Sequence, residues 1–277
     1  MSDLARAAGD EHEVSHLSFA DLRGDVLPDS GFRLKHNELS VDVDAIIVRS
    51  MPPGSLEQIV FRMDLLHRAE AAGITVLNDP RSLECAIDKF LSSAKIQAAG
   101  VPMPATIACQ TVNEAMAAFE QLGGDVVVKP LFGGEGRGIT RVSDPDLALR
   151  AFKMLQQLGA VIYLQRFVQH QGWDIRILFV GERLFAIKRI GKDDWRTNIG
   201  RGGKAEPVEV EDRWVELARR SVQAVGATLA GVDIVVDQDQ QPFVLEVNAV
   251  PGWRALNRAL NVDTASEVIR HLESIVS

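Results

Sequence analysis

Two cysteines in 277 residues, Cys85 and Cys109, are too few for a disulfide framework, and they lack any metal-ligand spacing. They are expected to be buried free thiols in a reducing compartment. Basic charge is also in deficit: 38 acidic residues against 30 basic ones leave a net charge of −8, a field that repels polyanions and disfavours nucleic acid as a partner. No apolar run approaches the ~18 residues of a membrane span, and MSDLARAAGDEHEV lacks the basic and apolar stretches of a leader. A cytoplasmic protein with no membrane partner is expected. No Walker G-x-x-x-x-G-K-[ST] occurs, no G-x-G-x-x-G follows a first strand, and no Ser/His/Asp or Cys/His arrangement stands out. Repeats and low-complexity linkers are absent as well.

What remains is an ordinary folded composition, 46% hydrophobic and 25% charged, long enough for two or three modules. LARAAGDEHEVSHLSFADL reads as the end of a helix followed by a strand. Asp44 to Ser50 reads as a buried strand, Leu56 to Ala72 as a helix stopped by Gly73, and ITVLN as a third strand, which together make an α/β unit. Asp79 and Pro80 have the character of an N-cap and first helical residue, and the helix beyond Asp88 stops at Gly100. Strands TIACQ, DVVVKP, ITRV and VIYLQRFV then alternate with helices at Asn113 to Leu122 and Pro145 to Leu158. Two hairpins and a long helix follow.

In DIRILFVGERLFAIKRI, a two-residue turn at Gly181-Glu182 sets Arg176 opposite Ile187 and Asp174 opposite Arg189. Asp174, Arg176 and Arg189 then share one face, with Ile175, Ile177, Phe179, Leu184 and Ala186 on the other. In GVDIVVDQDQQPFVLEVN, opposing Val236 to Phe243 sets Asp233 opposite Glu246, with Asn248 on the same face and Ile234, Val236, Leu245 and Val247 behind. Like charges opposed across a ladder destabilise it, and a hard cation reverses that sign. Two carboxylates and an amide oxygen are ligands that Mg²⁺ accepts while it keeps water and phosphate oxygens.

VVVKPLFGGEGRGITRV ends a strand on Lys129 and places Gly133, Gly134, Gly136 and Gly138 within six positions. Glycines let backbone N–H groups approach phosphate oxygens, and a strand-end lysine adds a point charge to the same anion. With the acidic face, the pattern points to a nucleoside triphosphate site.

Six segments in order, IDKFLSSAKIQAAGVPMPAT, VVVKPLFGGEGRGI, YLQRFV, GWDIRILFVGERLFAIKR, DWRTNIGRGG and GVDI with FVLEVNAVPG, resemble the ATP-grasp ligases of the RimK type, from about Asp44 to the C-terminus. The resemblance implies an α/β and α+β fold in three parts: residues 1–79, a shortened N-terminal α/β domain; 80–168, a central part with the glycine lid; and 169–277, a C-terminal part with the metal site. It implies that Lys89 and Lys129 contact nucleotide phosphates, that Gly133 to Gly138 close over them, and that Gln165, Arg166, Phe167 and Val168 form the hinge along the adenine. Asp174, Arg196, Thr197 and Asn198 match nucleotide-contacting positions, and Asp233, Glu246 and Asn248 match magnesium ligands. The cofactors implied are ATP and Mg²⁺, with two ions and with Mn²⁺ as a substitute. The chemistry implied is attack of an acceptor carboxylate on the γ-phosphate, then of an amine, glutamate above all, on the acyl phosphate. Arg176, Arg189 and Arg201 are expected to clamp the acceptor carboxylate and the acyl phosphate.

Departures from the pattern are the hinge, Gln165-Arg166-Phe167 where Gln-Glu-aromatic is usual, and the N-terminus, where the chain begins inside the family's first helix. Trp253-Arg254 offers an indole and a cation to an aromatic acceptor such as a pterin, against the alternative that Trp253 anchors the final helix. A small-molecule carboxylate acceptor of the tetrahydromethanopterin kind is therefore expected. A ribosomal or carrier-protein C-terminus, a small-molecule kinase and a non-catalytic ATP sensor are the alternatives, and a homo-oligomer is compatible with all of them. His170 and His67 are expected at the surface.

Overall fold

The computed structural model describes residues 2–29, 31–133, 136–192 and 195–276. Helix α1 (Ser2–Ala8) buries Leu4 and Ala8 in one apolar cluster with residues near the C-terminus. A short 3-10 turn then leads into an antiparallel sheet of β1 (Leu22–Leu27), β2 (Gly31–His36) and β3 (Leu39–Ser40). The sequence places a strand just before this sheet and misses its hairpin. The reason is physical: of its side chains only Leu34 is fully buried, so the strands alternate weakly.

Strands β4 (Ala45–Ile47) and β5 (Thr75–Leu77) pair in parallel around helix α2 (Leu56–Ala71). Ser55 caps α2 in a reciprocal capping box with Gln58, and Gly73 ends the segment at φ +95°. Strand β4 is shorter than the expected Asp44 to Ser50. Val48 still donates its N–H to Leu77 O, after which the chain leaves the sheet.

Asp79 caps α3 (Pro80–Ile87) through the N–H groups of Arg81 and Ser82, and Asp88 caps α4 (Lys89–Ala98) through those of Phe90 and Leu91. The second cap fixes Lys89 at the first position of its helix. Next comes a sheet of β6 (Thr106–Cys109), β7 (Val126–Lys129), β8 (Thr140–Val142) and β9 (Ile162–Arg166), in the order β6-β9-β7-β8. Helices α5 (Val112–Gln121) and α6 (Pro145–Gln157) share its apolar face, where Val126, Val128, Ile162 and Leu164 pack with Phe119 and Phe152. By strand alternation Val127, Lys129 and Gln165 belong to the other face.

The largest sheet has the order β12-β11-β10-β13-β14 and is built of β10 (Trp173–Val180), β11 (Arg183–Ile190), β12 (Lys204–Pro207), β13 (Leu229–Val236) and β14 (Pro242–Asn248). Ile175, Ile177, Phe179, Val232 and Ile234 pack in one cluster with α7 (Asp212–Val225). On the opposite face, Leu178 and Val180 are clustered with α8 (Arg254–Leu260) and α9 (Thr264–Ile275). The rest of that face carries Asp174, Arg189 and Asp233, which line the cleft toward the four-stranded sheet. Cys85 is buried, Cys109 half-buried, and both are free. No helix among the described residues is long and apolar enough to cross a membrane.

Candidate functional site

The first hairpin has the register its turn requires, with Asp174 opposite Arg189 and Arg176 opposite Ile187. In the second, Asp233 faces Glu246 as expected, but Val236 faces Pro242 rather than Phe243 because the register shifts between Asp233 and Ile234. Such a bulge lets two consecutive residues of β14 share a face. Val244 and Val247 both enter the apolar core, while Leu245 and Glu246 both line the cleft. Leu245 is thus a site residue, contrary to its expected place behind the sheet.

The cleft opens to solvent, with about 690 Å³ of free space when its mouth is counted. It brings together Lys129 and the hinge residues Gln165, Arg166, Phe167 and Val168 from the four-stranded sheet with Asp174, Arg189, Arg196, Thr197, Asn198, Asp233 and Glu246 from the other side. Val127 and Ile139 stand on one wall and Val235 and Leu245 on the other, an apolar slot suited to a flat ring. Trp195 and His170 also line it. Phe167 stacks edge-on to Trp195 at 5.7 Å and lies 5.7 Å from the His170 ring. Burial pulls the His170 pKa down against the pull of Asp174. His170 therefore belongs to the site and not to the bare surface. His67 is half-buried and bonded to Glu84 at 3.1 Å.

Both lysines are buried. Lys129 is 8% exposed and donates to Gln165 Oε1 at 2.7 Å, while Gln165 Nε2 donates to Thr106 Oγ1. Lys89 is 9% exposed and donates to the carbonyl of Gly133 at 2.7 Å, which ties α4 to the start of the glycine loop. Burial lowers the pKa of each, and the charge of Glu246 opposes that shift in both. The loop glycines Gly133, Gly136 and Gly138 sit at φ +129°, +70° and +73°. A Cβ on Gly136 would fall 2.6 Å from Asn198 Oδ1, so the loop backbone lies against the segment that the resemblance assigns to nucleotide contact. Gly134 and the Arg201 side chain lie outside the described residues. Arg196 donates to Ile139 O at 3.2 Å.

The acidic face carries its own cations. Arg176 grips Asp233 with two bonds of 2.7 Å, and Arg189 reaches Asp233 Oδ2 at 2.8 Å. Arg189 also donates twice to Asp174, at 2.8 and 2.5 Å, and Asp174 accepts from Thr197 Oγ1 at 2.6 Å. Burial alone would raise the Asp233 pKa, but the two guanidinium groups hold it at about 2. The expectation that Asp233 and Glu246 repel each other until a cation arrives is corrected on this point: Arg176 and Arg189 already neutralise Asp233. The clamp role expected of Arg189 meets a similar obstacle. At 3% exposure, with Nε and Nη2 engaged, it pins Asp174 to Asp233.

Three oxygen donors keep capacity for a hard cation. No described residue hydrogen-bonds Glu246, Asn248 Oδ1 accepts only the Val250 N–H at 2.9 Å, and Asp233 Oδ1 accepts one bond, so each retains lone pairs. Asn248 stands opposite Gly231, one alternation from Asp233.

Trp253 does not offer its face to an acceptor. It is 4% exposed, clusters with α8 and α9, and has the Arg49 guanidinium 3.8 Å from its ring centroid. The anchoring alternative describes it. Arg254 points outward, 3.8 Å from Asp3.

Residues 86–272 match the RimK-like ATP-grasp domain family. The tetrahydromethanopterin:alpha-L-glutamate ligase of Methanosarcina acetivorans is 31% identical over 265 residues, covering 85% of this chain and 81% of its own. The probable alpha-L-glutamate ligase of Legionella pneumophila is 30% identical over 213 residues, 76% of this chain and 70% of its own. Among solved structures, a RimK domain ATP-grasp protein of Sphaerobacter thermophilus superposes with a TM-score of 0.74 at 24% identity, over 98% of this chain and 94% of its own. The ATP-grasp ligase PsnB in complex with a minimal precursor gives 0.75 at 21% identity, over 99% and 93%. At these identities the structural likeness is one of fold.

Proposed function

Since the chain belongs to the RimK-like ATP-grasp family of ligases, we propose that it adds glutamate to the carboxylate of a small pterin-type acceptor, of the tetrahydromethanopterin kind. It is a C–N bond-forming enzyme that uses ATP and Mg²⁺. The observation that carries the reading is one cleft in which a buried lysine, a glycine loop and an uncapped carboxylate converge beside an apolar slot. Support for the acceptor comes from the pterin-named relative, which aligns over more of this chain than the probable alpha-L-glutamate ligase does. It no longer comes from Trp253.

In this reading Val127, Ile139, Val235 and Leu245 receive the base, and hinge backbone atoms meet its edge. Lys129, aimed by Gln165, and Lys89, aimed from the start of α4, meet the phosphates. Asp233, Glu246 and Asn248 would hold Mg²⁺, which supplies charge neutralisation at the phosphates. The acceptor carboxylate oxygen attacks the γ-phosphorus and the bond to the bridging oxygen of ADP breaks. The amine of glutamate then attacks the acyl carbon, phosphate leaves with the bonding pair, and the amine gives up a proton. Arg176, held on Asp233, keeps the acids neutralised. A second metal ion, replacement of Mg²⁺ by Mn²⁺, a role for Arg201, a cytoplasmic location, self-association and division of the chain at 79/80 and 168/169 belong to the same proposal.

The test is ADP release from the purified protein with tetrahydromethanopterin, glutamate, both or neither. Turnover that needs both supports the ligase. Turnover with acceptor alone indicates a kinase, and tight ATP binding without turnover indicates a sensor.

A further inference from the structure

Arg49 leaves β4 at the point where the chain departs from its sheet, and its guanidinium is enclosed. Cζ lies 3.8 Å from the centroid of the buried Trp253 ring, Nη2 donates to Pro251 O at 2.8 Å, and Nη1 is buried with no hydrogen-bond partner. No carboxylate of a described residue pairs with it. The cations of the cleft have anions, since Arg176 and Arg189 hold Asp233, Arg189 holds Asp174, and Lys89 and Lys129 feel Glu246, whereas Arg49, like Arg62 on Pro52 O, rests on a backbone carbonyl instead. A half-buried cation with one nitrogen sealed from water and unbonded is unfavourable until an acceptor joins it. Burial accordingly pulls its pKa down to about 10.

Its position is equally specific. Following β14 past Glu246 and Asn248 leads to Pro251, the residue that anchors Arg49. Pro251 Cβ lies 3.3 Å from where a Cβ on Gly231 would be, and Arg176 Nε lies 3.6 Å from the same point. Gly231 faces Asn248 across the ladder. Arg49 therefore borders the acid-bearing strands at the end away from Leu245 and the apolar slot. It also comes from residues outside the 86–272 family match.

We infer that Arg49 is a carboxylate receptor for one of the two substrates, either the acceptor or glutamate, and that it brings the N-terminal unit into the active site. Both substrates carry carboxylates, and a guanidinium fork binds such a group bidentately. The incoming anion gives Nη1 the partner it lacks. The inference rests on the ligase reading.

The experiment compares wild type, Arg49→Met and Arg49→Lys. Methionine keeps apolar cover on Trp253 and removes the charge; lysine keeps the charge and loses the fork. In Arg49→Met, KM for either glutamate or tetrahydromethanopterin should rise at least ~10-fold while KM for Mg-ATP stays within ~2-fold, and Arg49→Lys should recover part of the loss. Whichever KM moves identifies the substrate. Thermal shift by L-glutamate or by tetrahydromethanopterin should shrink in the variant for that substrate alone. Unchanged KM values overturn the inference, as does a rise in all three together. If Arg49→Met does not fold, Arg49→Lys carries the measurement, and failure of both to fold marks Arg49 as a structural pin and overturns the inference. Absence of ADP release in wild type would sink the ligase reading, while a ligand-induced thermal shift that needs Arg49 would still uphold the receptor.

Discussion

Glu246→Gln removes one charge from a cleft in which nearly every other charge is matched. Two effects compete. Loss of repulsion between Glu246 and Asp233 stabilises, by about 0.2–1 kcal/mol for like charges opposed on a ladder. That gain is at the low end, because Arg176 and Arg189 already neutralise Asp233. Against it, Lys89 and Lys129 lose the anion that opposes the burial-driven fall in their pKa. Leaving a buried charge short of a partner costs about 1–3 kcal/mol, reduced here because Glu246 is only half-buried. The net expectation is a loss of about 1–2 kcal/mol in the metal-free protein, a fall in Tm of about 2–8 °C for a chain of this size. The added stability that Mg-ATP gives the wild type should largely disappear in the variant. Melting curves in chelator and in Mg-ATP read both. A metal-free variant as stable as wild type, or more so, would refute the pairing of Glu246 with the lysines and restore the view of two repelling acids.

Gly136→Val puts a branched side chain at φ +70° and against Asn198, so turnover should fall at least ~10-fold with little change in Tm, since the loop lies outside the apolar clusters. Equal rates of protease nicking at the loop with and without Mg-ATP would contradict a phosphate lid. Arg189→Met strands Asp174 and Asp233 with less compensation and should cost about 3–5 kcal/mol in urea denaturation, more than any other single change in the cleft; a loss below about 1 kcal/mol would mean that water enters the network. Because the folded Lys129 pKa is lowered and a phosphate raises it, Mg-ATP binding should take up protons as pH climbs toward the ordinary lysine range. Calorimetry in buffers of different ionisation enthalpy measures this, and proton release there would place the phosphates elsewhere.

Local chemistry alone settled a good part of this molecule. Asp79 and Asp88 declared two helix starts, Gly73 and Gly100 two stops, and the Gly181-Glu182 turn fixed the face shared by Asp174, Arg176 and Arg189, because caps and two-residue turns act over a few bonds. The facing of Asp233 and Glu246 also followed from alternation, though the assumed turn-end pairing of Val236 with Phe243 was not the one found. The N-terminal hairpin stayed hidden, since short polar strands gain their stability from packing on α2 and not from a pattern of their own. Only tertiary structure could decide the rest. A bulge of one residue turned Leu245 toward the cleft, Arg49 covered the face of Trp253, and cations from β10 and β11 neutralised Asp233. Each of these depends on groups brought together from distant parts of the chain, or on the local register that packing selects, and period-2 alternation carries neither.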